Sequence, residues 1–254
     1  MTAMTDTSAG APADPGSGGA GADGSRKLTR TEASGAVSDL GWRYILGWLR
    51  ASVPAASLAE AAGLAVRAAA AAGPDADATL WADVRHDGVV LALQDRATAA
   101  VTAREAGLAR QITAALREAG HATEPGTGGT APRSVQMLEI AIDALDIPSI
   151  RPFWRAVMGY VSEPGRDGPE DALVDPVGQG PAIWFQQMDA PRPQRNRIHV
   201  DVSVPHDEAK ARIDAALAAG GRLLADDEAP AFWVLADAEG NEACITTWQG
   251  RDPA

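Results

Sequence analysis

Glu139-Ile-Ala-Ile-Asp-Ala-Leu145 and His199-Val-Asp-Val-Ser-Val-Pro205 are two alternating stretches sixty residues apart, with Ile140 and Ile142 of the first matching Val200 and Val202 of the second. Downstream, Gly180-Pro-Ala-Ile-Trp-Phe-Gln-Gln187 and Gly240-Asn-Glu-Ala-Cys-Ile-Thr-Thr247 both open on glycine and read as strands. Glu139 to Trp184 spans 45 residues, and His199 to Cys244 spans 45 again. A fixed period constrains architecture more firmly than local propensity, because each repeat must be the same supersecondary unit. Each unit reads strand, helix, then two or three strands. The helices are expected over 149–158, after Pro148, and over 206–219, closed by Gly220-Gly221.

Strand side chains alternate between two faces. Leu138, Ile140 and Ile142 are therefore expected in the core. Glu139, Ala141 and Asp143 share the opposite face with His199, Asp201 and Ser203 of the second unit. The same count places Ala182, Trp184 and Gln186, and Glu242, Cys244 and Thr246, on that face. Two such sheets facing each other would line a cleft with polar and aromatic groups.

The paired units, together with Phe153-Trp154-Arg-Ala-Val-Met-Gly159-Tyr160, Arg197-Ile-His199-Val-Asp201-Val and Asp237-Ala-Glu-Gly240-Asn241-Glu, resemble the glyoxalase/bleomycin-resistance group of the vicinal-oxygen-chelate superfamily over residues 134–250. The resemblance implies two βαβββ units. It also implies, for metal-dependent members, one ligand from the first and last strand of each unit. The matching positions here hold Glu139, Trp184, His199 and Cys244. An indole is no ligand, and a lone thiolate mixes poorly with the hard oxygen donors that Mg, Mn or Fe prefer. A metal-free cleft with no cofactor is the expectation; a shifted set of Glu139, His199 and Glu242 stays open. Crowded carboxylates raise one another's pKa and bring a nearby histidine into acid–base use. Glu139, His199 and Asp201 are thus the catalytic candidates, for chemistry of a lyase or isomerase kind. Trp184, Gln186, Glu242 and Cys244 are the substrate-binding candidates, with Trp184 placed to stack on a planar ligand. Sequestration of a compound, as in bleomycin-resistance proteins, is the alternative. Cys244 reads as a small buried apolar residue with no further histidine placed to activate it.

The formal charge of −12 disfavours nucleic acid and anionic membrane, both of which reward Lys and Arg. A small-molecule ligand is the expected partner, and a homodimer is left open. The single cysteine rules out an internal disulfide and a Cys-cluster metal site. No basic and apolar leader opens the sequence and no long apolar run follows, so a cytoplasmic protein is expected.

Residues 1–27 are Gly, Ala, Ser, Thr, Asp and Pro with little to bury, and are expected to be disordered. Thr29-Arg-Thr-Glu32, Ser57-Leu-Ala-Glu60 and Thr102-Ala-Arg-Glu105 are capping boxes that open helices to about Leu40, Ala72 and Glu118. Gly41 to Leu49 reads as one aromatic-rich strand. Strands over 80–85 and 89–93 flank the turn at His86-Asp87-Gly88. This α-β-α-β-β-α order, with Val101-Thr-Ala-Arg-Glu105 and Leu108-Ala-Arg-Gln-Ile112, resembles pterin-4a-carbinolamine dehydratase over 28–120. Gly73-Pro74-Asp75 stands where that family has His-His-Pro-Asp, and Leu93-Gln-Asp-Arg96 where it has a Thr-His pair. Its histidines are thus replaced by Ala72, Gly73 and Arg96, none of which can shuttle a proton near neutral pH. The 4a-hydroxytetrahydrobiopterin dehydratase activity that the resemblance implies is the least favoured function. Residues 123–133 and 191–196 are rich in turn formers and read as linkers. The fold class expected is α+β: a dehydratase-like unit followed by a two-unit glyoxalase-like domain.

Overall fold

The structure, a computed structural model, describes residues 24–126, 135–191 and 198–250. Among these described residues the fold is mixed α+β with three four-stranded sheets.

The first sheet is built by β1 (Arg43–Ile45), β2 (Trp48–Pro54), β3 (Leu80–Arg85) and β4 (Gly88–Leu93), in the antiparallel order β1-β2-β4-β3. Leu49, Ala51 and Val53 of β2 and Val89, Leu91 and Leu93 of β4 are buried on one face. They pack with Leu64 and Ala68 of α2 (Leu58–Ala72) and with Leu108, Ile112 and Leu116 of α4 (Ala103–Glu118). Each buried Leu or Ile contributes roughly 1.5–3 kcal/mol. A shorter helix, α1 (Arg30–Val37), adds Ala33 and Val37 to this core, and a one-turn α3 (Ala76–Thr79) precedes β3.

The helix starts follow their sequence signals. Thr29 accepts from the Glu32 N–H at 3.2 Å while the Glu32 carboxylate accepts from the Thr29 N–H at 2.8 Å. Thr102 and Glu105 do the same, with Glu105 fully buried. At α2 the box is half made: Ser57 accepts from the Glu60 N–H, but the Glu60 carboxylate takes the Ala56 N–H at 2.6 Å.

The C-terminal part repeats one unit. β5 (Glu139–Ala144), α5 (Ile147–Met158), β6 (Val161–Ser162), β7 (Leu173–Val174) and β8 (Ala182–Gln187) form the first. β9 (Val200–Ser203), α6 (Ala209–Ala218), β10 (Arg222–Ala225), β11 (Phe232–Ala236) and β12 (Glu242–Thr246) form the second. The sheet orders are β5-β8-β7-β6 and β10-β11-β12-β9, so in each unit the first strand lies parallel beside the last. One core serves both units, joining Ile142, Phe153 and Val157 to Ile213, Leu235 and Ile245.

Polar contacts also tie the units together. Trp154 Nε1 of α5 donates to the fully buried Asp237 at 3.0 Å. The Glu239 carboxylate accepts from the N–H groups of Leu145 and Asp146, where the backbone turns into α5. Arg212 of α6 donates to the Val157 carbonyl at the other end of α5, where a cation suits the unsatisfied carbonyls and the dipole.

Several expectations are corrected. The stretch read as one strand after Gly41 is a hairpin, because Leu46 (φ 48°) and Gly47 (φ 82°) turn the chain between β1 and β2. Leu138 is 67% exposed, since β5 begins at Glu139 and Ala144 takes the third core position. The second repeat helix starts at Ala209, leaving His206 in the preceding turn. Thr123 and Glu124 are not linker: Thr123 is buried and donates to the Leu40 carbonyl, and Glu124 pairs with Ser52 along the edge of β2 that β1 leaves open. Most of the expected tail, residues 127–134 and residues 192–197 lie outside the described residues.

Candidate functional site

The second unit assembles a polar cluster from two neighbouring strands. On β9, Val200 and Val202 turn toward the core, and Asp201 and Ser203 are exposed on the other face. On β12, Ala243 and Ile245 fill the core, which turns Cys244 and Thr246 to the face of Asp201. The parallel register sets Cys244 beside Asp201 and Thr246 beside Ser203, whose hydroxyls are 2.7 Å apart. His199, two residues before Asp201, brings its Nε2 to 3.2 Å from Asp201 Oδ1. One donor atom from each of His199, Asp201 and Cys244 lies within 4.8 Å of the other two. The imidazole and carboxylate are half exposed, at 51% and 58%, while Cys244 is 7% exposed. The sequence reading put Cys244 on the face of His199 with no further histidine to activate it; the fold brings His199 itself within 4.8 Å of the thiol.

The first unit presents Glu139, Ala141, Trp184 and Gln186 as exposed residues on the corresponding face of β5 and β8, with Asp143 half buried. Register pairs Glu139 with Ala182, Ala141 with Trp184 and Asp143 with Gln186. Trp184 is 38% exposed, whereas Trp154 is sealed in the core. Glu139 stands outside the histidine, aspartate and cysteine group, and so does Glu242, half buried at the start of β12. The shifted set of Glu139, His199 and Glu242 is therefore not the one that converges among the described residues.

The loop that feeds β8 is held by Asp175. Its carboxylate accepts from the N–H groups of Val177, Gln179 and Gly180 at 3.0, 2.8 and 2.7 Å. Burial pushes this carboxyl up, and those backbone bonds outweigh it, so it sits below the ordinary aspartate range. Tyr160 donates to the Pro181 carbonyl next along, and burial, then the Asp175 charge, pushes its phenol up. Both contacts fix where β8 starts and hence where Trp184 stands.

Sequence reasoning missed two features. Asp237 accepts from Trp154, from the backbone of Glu239 and Asn241, and from the Asn241 side chain. The Gly240-Asn241 turn was visible in the sequence, but its partner Trp154 lies 83 residues away. Trp248 Nε1 donates to His206 Nδ1 at 3.4 Å, a pairing that no local pattern announces.

In the N-terminal part, the Arg96 guanidinium lies 3.6 Å from the centre of the Trp81 ring and donates to the Leu80 carbonyl. Asp75 faces Arg104 at 3.8 Å, and Arg104 also meets Asp95 and Glu105. A cavity of about 840 Å³ opens at the far end of this sheet, beside Ser52, Glu60, Asp83, Arg85 and His121. Among its lining side chains, Arg85 pairs with Asp83 at 2.6 Å, and His121 Nε2 stands 3.5 Å from Glu60 Oε1.

Residues 139–246 match the family model described as a glyoxalase-like domain, and this stretch is a glyoxalase-like domain. Among solved structures, the chain is similar to a glyoxalase/bleomycin resistance protein/dioxygenase family enzyme from Burkholderia phytofirmans PsJN. The identity is 20%, with 43% of this chain and 95% of that one covered and a TM-score of 0.36. A glyoxalase-related enzyme from Fulvimarina pelagi is also 20% identical, over 44% of this chain and 87% of that one, with a TM-score of 0.34. A glyoxalase/bleomycin resistance protein from Albidiferax ferrireducens T118 is 16% identical over 43% and 95%, also with a TM-score of 0.34. No curated protein matches the chain. No helix among the described residues is long and apolar enough to cross a membrane.

Proposed function

We propose that the glyoxalase-like domain binds a small planar or polar metabolite on the open faces of its two sheets, and that it works on the ligand by acid–base chemistry of a lyase or isomerase kind. The observation that carries this reading is the meeting of His199, Asp201 and Cys244 on an exposed sheet face. Polar side chains with no structural task in the core are gathered there, in reach of solvent and ligand. With no cation bound, His199 exchanges a proton with the ligand and Asp201 orients the imidazole and balances its charged form, as in other base–carboxylate pairs. Glu139 is the second proton-transfer group. Trp184 stacks on the ligand, and Gln186, Glu242 and Cys244 line its site. Sequestration differs only in lacking turnover.

For the N-terminal part we infer a structural or ligand-binding role. Asp75 is engaged by Arg104, and Arg96 stacks on Trp81 where the resembling family has a histidine.

The test is a ligand screen on the full chain, read by quenching of tryptophan fluorescence and by mass change of the ligand. For any ligand found, His199→Gln and Glu139→Gln should each weaken binding or turnover at least about tenfold, near 1.4 kcal/mol, with unchanged circular dichroism. Ligand affinity and turnover unmoved by both changes would remove the reading. Binding with no product would leave sequestration.

A further inference from the structure

We infer that Trp248, held by His206, is a stacking platform for the ligand, and that the ligand is a fused two- or three-ring aromatic compound whose polar end reaches His199 and Asp201. The inference rests on the reading of this sheet face as the working surface and deepens it by naming the ligand class.

Exposure is the first support. Of the aromatic side chains among the described residues, Trp184 and Trp248 are the two left exposed, at 38% and 61%. An indole is large and mostly apolar, and folding ordinarily covers most of it. Trp184 stands on β8, the last strand of the first unit, and Trp248 follows two residues after β12, the last strand of the second. Each unit thus presents one open indole at its last strand.

Preorganisation is the second support. Thr247 is buried, its N–H donates to the Ala231 carbonyl at 2.9 Å, and its hydroxyl donates to the Pro230 carbonyl at 2.6 Å. The backbone beside Trp248 is therefore fixed. Trp248 Nε1 donates to His206 Nδ1 at 3.4 Å, with ring centroids 5.4 Å apart and planes at 70°. An indole N–H lies in the ring plane, so this bond takes the ring by its edge rather than by a face. A ring already held in place loses little freedom when a ligand stacks on it.

Position is the third support. Ser203 and Thr246 are ladder partners at the ends of β9 and β12, and His206 and Trp248 meet beyond them. Four residues separate Trp248 from Cys244, which is at most about 13 Å along an extended chain. A fused ring system lying on Trp248 and carrying a polar arm covers that span; a metabolite of three or four carbons does not. The Ser203 and Thr246 hydroxyls, 2.7 Å apart, stand between the two ends.

The test uses quinoline, acridone and lumichrome on the full chain. These probes are planar and neutral, so the formal charge of −12 does not draw them in as it would a cationic dye. With uniform nitrogen-15 labelling the seven tryptophans supply seven indole N–H signals, and the signal lost in Trp248→Leu belongs to Trp248. At least one probe should shift that signal saturably, while the indole ring current moves the probe's own proton resonances upfield. Trp248→Leu should weaken its binding at least about tenfold, the scale of one ring stacked on an aromatic side chain. Trp248→Phe should restore most of the loss, since a phenyl face still stacks. His206→Ala should move the Trp248 signal in the unliganded chain. A Trp248 signal unmoved by all three probes, equal affinity in wild type and Trp248→Leu, or a signal that His206→Ala leaves in place would each overturn the inference. A probe that shifts only the signal lost in Trp184→Phe would sink the platform and leave the reading of the sheet face standing. That reading is tested separately through His199→Gln and Glu139→Gln.

Discussion

Replacing Asp237 with alanine should cost the glyoxalase-like domain about 3–5 kcal/mol. The side chain is completely buried and accepts from Trp154 Nε1 at 3.0 Å, Glu239 N at 3.0 Å, Asn241 N at 2.8 Å and Asn241 Nδ2 at 2.8 Å. Trp154 is only 2% exposed, so water cannot replace the carboxylate there, and an orphaned buried donor costs about 1–3 kcal/mol. The other donors lie in a turn that solvent reaches more easily and should add about 1 kcal/mol each at most. In a chain of this length such a loss lowers the melting temperature by roughly 6–20 °C. Urea unfolding of the full chain, followed by near-ultraviolet circular dichroism, measures it. Trp154→Phe removes the same buried donor while keeping most of the ring packing. In a double-mutant cycle it should therefore couple to Asp237→Ala by at least about 1 kcal/mol. A loss below about 1 kcal/mol for Asp237→Ala, or additive changes in the cycle, would refute the view that this carboxylate joins the two units.

The Asp175 carboxyl is held below its ordinary value of 3.8. Its stabilising contribution should be complete above that value and vanish as pH falls through the lower, folded-state value. The stability gap between wild type and Asp175→Asn should accordingly shrink on acidification from about pH 5 to pH 2; a gap constant across that range would contradict it. In the N-terminal part, the full chain should not speed dehydration of 4a-hydroxytetrahydropterin above background, because Ala72, Gly73 and Arg96 carry no titrating group near neutral pH. Turnover abolished by Asp75→Ala would reverse that reading.

The sixty-residue period and the alternation of apolar residues in β5 and β9 were enough to derive two units of strand, helix and two or three further strands, and the faces of β5 and β9. The pleat makes side-chain direction a local property: once Ile142 and Val202 are inside, Asp143 and Asp201 are not. The capping boxes at Thr29 and Thr102 were equally legible, because a reciprocal pair of hydrogen bonds needs only the right residue types three positions apart. The hairpin at Leu46-Gly47 escaped because a leucine at positive φ is uncommon and nothing in the local pattern announces it.

What stands beside what across strands is a different matter. Cys244 and Asp201 are neighbours because β12 lies parallel to β9 in one register, and a slip of one residue would send Cys244 into the core. Alternation alone put these residues on the polar face and grouped His199 with Asp201, but said nothing of their contact with Cys244 until the sheet was assembled. The same holds for Trp154 and Asp237, which the packing of α5 brings together across 83 residues. Periodicity is set within one strand by its own backbone; the pairing of donors depends on how strands far apart in sequence align, and that is decided by the burial of the whole core.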